Sequence, residues 1–245
     1  MPHISLAAER IGELWGLPVS NALLTTWVVM VLLILISVVI KLQIRLVPTR
    51  LGCAAEMIVG GLYDFFGSIL GRQSAIAFPV VGSLFLFIIS ANWFGLLPGV
   101  GTIGFFHGEK FTPLFRGATA DLNTTLALAI VAVVVIQFLG FKTLGSHYTS
   151  RFINLASPIN FFVGLLELVS ELSKVISFGF RLFGNIFAGE VLLTVVAFLM
   201  PFVVPLPFLF LELFVGFIQA LVFSMLTAVF LNVAVSHGEE VGVHG

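Results

Sequence analysis

The sequence predicts an all-α polytopic membrane protein, and three observations predict it. Hydrophobic residues make up 59% of the 245 positions and charged residues only 9%, against about 25% charged in an ordinary soluble domain. The 11 Lys+Arg and 12 Asp+Glu are too few to solvate a globule of this size. Several apolar stretches reach the roughly 20 residues that cross about 30 Å of hydrocarbon. The last third holds two segments longer than that, both studded with polar groups. The whole chain reads as one membrane domain. Its net charge of −1 offers nucleic acid no basic surface, and the lone Cys53 cannot form an internal disulfide.

Residues 1–21 read as a segment that is not a cleaved signal peptide. They carry Glu9, Arg10 and Glu13 rather than a basic leader, and the apolar run behind them is of spanning length. Span one covers 22–46, without a charge until Lys41. Residues 51–72 are too polar to span. Leu51, Ala55, Ile58, Leu62, Phe65 and Ile69 recur at helical spacing, with Glu56, Asp64, Ser68 and Arg72 on the other face. An interfacial or bundle-docked amphipathic helix is predicted. Span two is 75–98. Residues 99–117, punctuated by Gly99, Gly101, Gly104, Gly108 and Pro113, read as a loop. Span three is 121–142, with Asp121 or Thr119 as its N-cap.

The segment 157–200 opens with Ser157 as N-cap and Pro158 as first helical residue, and no strong breaker follows before Pro201. As one helix it would run about 64 Å, twice the membrane thickness. It either breaks near 179–184 or lies steeply tilted against a protein partner. A turn over 201–207 leads to a last long helix, 207–235, and a tail, 236–245. Basic residues cluster after spans one and three (Lys41, Arg45, Arg50, Arg72; Lys142, Arg151), whereas Lys110 and Arg116 after span two are balanced by Glu109 and Asp121. The expected orientation therefore has the N-terminus outside and the C-terminus in the cytoplasm.

The long segments carry Glu167, Glu171, Lys174, Arg181, Glu190, Glu212 and Gln219. Arg181 has about 20 residues of the same segment on either side, which puts it near mid-membrane. An arginine there costs about 2.5–3.5 kcal/mol on insertion scales and keeps its proton at any accessible pH. It needs a carboxylate or water. One reading is a structural ion pair with Glu167, Glu171 or Glu190; the other is an ion pathway. At about 100° per residue, Ser177 and Asn185 share the face of Arg181. Glu167 lies about 21 Å away along the axis, and Glu190 points about 180° away. The counter-charge is therefore expected from another helix or another subunit. Glu212 and Gln219 share a face within about 20°. Acids towards the two ends with a fixed cation between them describe two polar paths separated by a barrier. Lys174 reads as a local partner of Glu171, and Gly179, Gly184, Gly189 and Gly216 as close-packing positions, those near Arg181 with room for a moving neighbour. Glu56 and Asp64 read as a wet face. His3, His107, His147, His237 and His244 show no metal-ligand spacing, and no phosphate-binding glycine loop or nucleophile–base pair is present. No metal site, no cofactor and no ATP hydrolysis by the chain itself are expected.

Ser177-Phe-Gly-Phe-Arg-Leu-Phe-Gly-Asn-Ile-Phe-Ala-Gly-Glu190 resembles the signature of subunit a of the F-type ATP synthase. Ala120-Asp-Leu-Asn-Thr-Thr125, Ser157-Pro-Ile-Asn160, Phe217-Ile-Gln-Ala220 and Phe223-Ser-Met-Leu-Thr227 are similar to its middle-span start, its hairpin opening and its last helix. The resemblance covers nearly all of the chain after about Trp27. It implies one peripheral helix, an amphipathic helix, a two-helix hairpin and two long tilted helices against a rotor ring. It also implies that Arg181 faces the rotor carboxylate, with Gln219 and Asn185 as its polar neighbours. Glu190 then matches the acid of the outer half-channel and Glu167 an acid towards the cytoplasmic one. Glu212 stands where some members carry His, which suggests a Glu190–Glu212 relay. The implied partners are the c-ring, the peripheral-stalk b subunits and, indirectly, the catalytic head, with protons as the transported ion and the bacterial inner membrane as the location. Two rival classes fit less well. A secondary transporter would show internal repeats and more spans, and a purely structural subunit leaves an unpaired arginine unexplained.

Overall fold

The computed structural model describes residues 8–14, 17–42, 49–97, 99–101, 103–107, 110–145, 148, 158–201 and 203–241. Arg45, Arg151, the N-cap assigned to Ser157, His3, His147, His244, Pro98, Gly108 and Glu109 lie outside the described residues. Six long helices make up almost all of it, and five stretches are long and apolar enough to cross a membrane.

Helix α1 (Asn21–Leu42) buries only Asn21, Ala22, Thr25 and Val29, all in its first half. The remainder presents side chains such as Ile34 and Leu35 outward, so α1 is a peripheral helix held at one end. Helix α2 (Arg50–Leu70) starts on Thr49, whose hydroxyl accepts the Gly52 N–H at 3.3 Å. It stops where Gly71 takes a φ of 54°, a left-handed geometry that glycine adopts without strain. A 3-10 turn, Gly71–Gln73, leads straight into α3 (Ser74–Gly95). The predicted stripe of α2 needs correction. Phe66 and Leu70 are the buried residues, with Leu62 and Ile69 packed beside them, whereas Ile58 and Phe65 are exposed. Glu56 and Asp64 are exposed, as expected. Apolar periodicity misplaces the docked face because a helix bordered by hydrocarbon gains nothing by turning its apolar residues inward.

The stretch read as a loop also contains structure. Strands β3 (Gly104–His107) and β4 (Lys110–Pro113) form an antiparallel hairpin, where Phe105, Phe106, Phe111 and Thr112 favour extended backbone. Upstream, β1 (Arg10–Leu14) and β2 (Leu17–Ser20) form another. The start of α1, just after β2, reaches the end of β4, where the Asn21 Nδ2 donates to the Pro113 carbonyl at 3.5 Å. This is the hairpin end of the bundle. A short 3-10 turn, Ala118–Ala120, follows and is buried throughout. Helix α4 (Leu122–Leu144) then begins on Asp121, whose carboxylate accepts the Asn123 N–H.

Helix α5 (Pro158–Leu199) runs 42 residues without a break, about 63 Å. Of the two alternatives, interruption near 179–184 is the one the structure rejects. Helix α6 (Pro205–Val241) begins two residues earlier than predicted, since proline is tolerated in a first helical turn, and continues past the predicted tail boundary. It lies at the centre of the bundle, packed against α2, α3, α4 and α5. Phe66, Phe85 and Phe217 tie α2, α3 and α6 together edge to face at 6.1 Å spacings.

A polar clamp sets the height and rotation of α6. The Asn92 Nδ2 on α3 donates to the Gly216 carbonyl at 2.8 Å, and the next residue's indole, Trp93 Nε1, donates to the Leu213 carbonyl at 3.1 Å. The Asn92 Oδ1 in turn accepts the Thr119 hydroxyl at 2.6 Å. Asn92 and Thr119 are both buried, and a buried polar group left without its partner costs about 1–3 kcal/mol. Asn92→Leu is therefore expected to destabilise the folded chain by about 1–3 kcal/mol, read as a lower thermal midpoint in detergent. Adding Thr119→Val should cost little more, because both residues serve the same network. Fully additive losses would show that the clamp is not one unit.

Candidate functional site

Helices α5 and α6 run antiparallel, and side-chain contacts fix their register. The Phe178 ring packs, tilted, against Phe223 at 5.0 Å and Phe230 at 5.7 Å between ring centres. Two turns further along α5, the Asn185 Nδ2 donates to the Gln219 Oε1 at 2.7 Å. Beyond that, Gly189 lies against the Glu212 carboxylate, so closely that any Cβ at position 189 would overlap it. From Phe178 to Gly189 the contacts advance eleven residues along α5, and from Phe223 to Glu212 they retreat eleven along α6. Asn92 and Trp93 grip the α6 carbonyls between Glu212 and Gln219, which anchors that register to α3.

The polar band is buried on α6 and open on α5. Glu212 and Gln219 are 6% and 4% exposed. The Gln219 Nε2 is buried without a hydrogen-bond partner. Ser177, Arg181, Gly184, Asn185 and Ala188 form an exposed stripe beside the buried stripe of Phe178, Leu182 and Ile186. The Arg181 guanidinium donates to the Ser177 hydroxyl at 3.2 Å and makes no ion pair with any described residue. Each acid that could have neutralised it is occupied elsewhere or distant. Glu171 pairs with Lys174 at 2.7 Å, the local pair that the spacing predicts, and the Lys174 ammonium also sits 4.7 Å from the centre of the Phe230 ring. Glu190 pairs with Arg116, from the segment before α4, at 3.2 Å. Glu167 is half-buried near the opposite end of α5, about 21 Å from Arg181 by helical rise.

The structure thus joins Asn185 to Gln219 and sets Glu212 against Gly189, beside Glu190; Arg181 stands on the exposed stripe one turn from Asn185, and Glu167 lies apart. The glycines divide. Gly179 admits Leu126 of α4, Gly189 admits Glu212 and Gly216 admits Asn92, as close packing requires. Gly184 faces nothing within 4 Å, so its missing side chain enlarges the free surface beside Arg181. Two participants escaped sequence reasoning. Asn92 could have been found as the single amide inside a very apolar span. Arg116 gave no signal, because its charge looked balanced by neighbours in sequence.

Comparison with known proteins agrees in extent with this architecture. A family model described as "ATP synthase A chain" matches residues 23–232. A protein of Geobacter sp. strain M21 named ATP synthase subunit a is 34% identical over 221 residues, 89% of each chain. Its namesake in Desulfosudis oleivorans is 34% identical over 242 residues, 97% of this chain and 99% of its own. Another, in Syntrophobacter fumaroxidans, is 33% identical over 213 residues, 86% and 83% of the two chains.

The Gly189–Glu212 contact yields a test that needs no assumption about function. Gly189→Ala is expected to cost about 1–3 kcal/mol of stability by overpacking. Glu212→Ala should cancel most of that loss in the double variant, as read by thermal midpoints of the purified chain. An undiminished penalty in the double variant would mean that the carboxylate is not what fills the space.

Proposed function

This chain belongs to the ATP synthase A chain family, and from that premise we propose that it is the proton-translocating stator subunit of an F-type ATP synthase. It carries no catalysis of ATP chemistry itself. Protons pass through water beside Glu190 and Glu212 from outside and load a carboxylate on an adjacent c-ring. The neutral carboxylic acid can then enter lipid. After nearly a full turn it meets a second aqueous path near Glu167 and releases its proton to the cytoplasm. Each charge moved through 100 mV carries about 2.3 kcal/mol, which sustained rotation converts to torque.

One observation carries this reading: Arg181 lies on an exposed stripe of an apolar helix, hydrogen-bonded to Ser177 and ion-paired to no described residue. A permanent cation so placed calls for an anion from a second molecule. At 4 Å and an effective dielectric of 20 the attraction for a bare carboxylate is about 4 kcal/mol. The same charge repels a proton trying to cross directly between the two paths. The Asn185–Gln219 bond supports the arrangement by holding two amides one helical turn along α5 from Arg181, and the unmet Gln219 Nε2 would gain an acceptor when water or a carboxylate arrives. The open surface at Gly184 leaves room for a passing helix. In this scheme the subunit sits in a bacterial inner membrane with its N-terminus outside and its C-terminus in the cytoplasm. Besides the c-ring, its partners are the peripheral-stalk b subunits and, through them, the catalytic head.

Membrane vesicles bearing the assembled complex provide the test. Arg181→Lys should abolish ATP-driven proton pumping, since an ammonium can lose its proton when desolvated and lacks the planar fork. Arg181→Ala should leave a passive proton leak under an imposed gradient. Normal pumping by the Lys variant, or a proton-tight membrane with the Ala variant, would overturn the barrier role.

A further inference from the structure

Arg116 belongs to no helix, yet its position is unusually constrained. Its backbone N–H donates to the Thr25 hydroxyl on α1 at 3.3 Å. The following Gly117 presses on the end of α3 so closely that a Cβ on Gly95 would lie 2.9 Å from its Cα. Two residues earlier, the Leu114 N–H is tied to the Ile103 carbonyl at 2.8 Å. From this fixed base the side chain reaches α5. Its Nε lies 3.2 Å from one Glu190 oxygen and 3.4 Å from the other, and a terminal nitrogen lies 3.4 Å from the latter. The guanidinium carbon sits 5.9 Å from the centre of the Phe187 ring, one turn back on α5. The Arg116 side chain is only 9% exposed while that of Glu190 is 39% exposed. The cation is therefore the buried, anchored partner, and the carboxylate is the more open one.

We propose that Arg116 is a positioning residue for the outer proton path, holding the Glu190 carboxylate between water and Glu212 and supplying the fixed positive charge against which a proton leaves it. This rests on the functional reading above. The transfer is a plain proton relay. An O–H bond on Glu190 breaks, an O–H bond on Glu212 forms, directly or through water, and Arg116 keeps all its protons. Of the charged side chains on the elements around Glu190, Arg116 and Glu212 face it. Asp121, on the segment packed against α5, is engaged in capping α4, and Arg181 lies on the far side of its helix. The arrangement also gives peripheral α1 a task, because Thr25 holds the backbone that aims the guanidinium.

The experiment measures ATP synthesis by vesicles carrying the whole complex. The proton concentration on the Glu190 side is varied while the membrane potential and the pH of the other side are held constant. With Arg116→Gln the maximal rate per assembled complex should fall about tenfold, and the half-saturating proton concentration should also move about tenfold lower, the low end of what a cation in hydrogen-bonding reach does to a carboxylate. Arg116→Lys should retain both within about threefold, because the charge survives while the fork is lost. Thr25→Val should give an intermediate maximal rate. If Arg116→Gln and Arg116→Lys behave alike, or if only the amount of assembled complex falls, Arg116 is a structural tie and the proposal fails. Arg181→Lys, run in parallel, separates the two levels. Coupled synthesis surviving in that variant would overturn the functional reading, whereas its loss alongside a normal Arg116→Gln would overturn only the role of Arg116.

Discussion

A guanidinium cannot shed its charge, and that constraint organises this molecule. Ordinary buried cations are neutralised by the nearest acid on the same or a neighbouring helix. Here the nearest acids are withdrawn. Glu171 is bound to Lys174 and Glu190 to Arg116, so Arg181 retains its field at the surface of α5. Both pairings give an acid of α5 a cation other than Arg181. What remains within reach is Ser177, a neutral hydroxyl that orients the side chain without cancelling its charge.

Around that charge the packing is built for register rather than for bulk. The aromatic contacts of Phe178, the Asn185–Gln219 bond and the Gly189–Glu212 approach follow one another over eleven residues of α5, about three helical turns. Each would be lost by a slip of a single residue. Asn92, Trp93 and Thr119 then tie α6 to α3 and to the buried turn before α4. Hydrogen bonds do this work because lipid gives helices no hydrophobic reason to prefer one another. Small residues supply the close approach, and polar groups supply the specificity of height and rotation.

The sequence is most legible where the governing physics is local. The span lengths, the Asp121 cap, the Glu171–Lys174 pair and the shared face of Ser177, Arg181 and Asn185 all follow from helical geometry over a few residues. From sequence, an unbroken α5 and a break near the glycines at 179 and 184 are equally open. Gly179 instead faces Leu126 and Gly184 open space, a division that only the neighbouring helices determine. The face of α2 that docks was misjudged for a related reason: in hydrocarbon, apolar periodicity no longer identifies the inside. Arg116 and Glu190 are separated by 74 positions, so their pairing is a property of the assembled bundle. The hairpin at 104–113 was hidden by its glycines and by the shortness of its strands.

The continuity of α5 has a mechanical corollary. A continuous helix of 42 residues with no proline after its first position is a beam, and a beam shares a sideways load along its length instead of yielding at a joint. A neighbouring assembly dragged past Arg181 would push near the middle of that beam. The reaction would be borne at its supports, the Phe178 contacts on one side and the Gly189–Glu212 contact on the other. Little elastic work is then stored in local bending. Force applied at one charged group is delivered to the frame almost undiminished, which is what a stationary part must do if its counterpart is to turn.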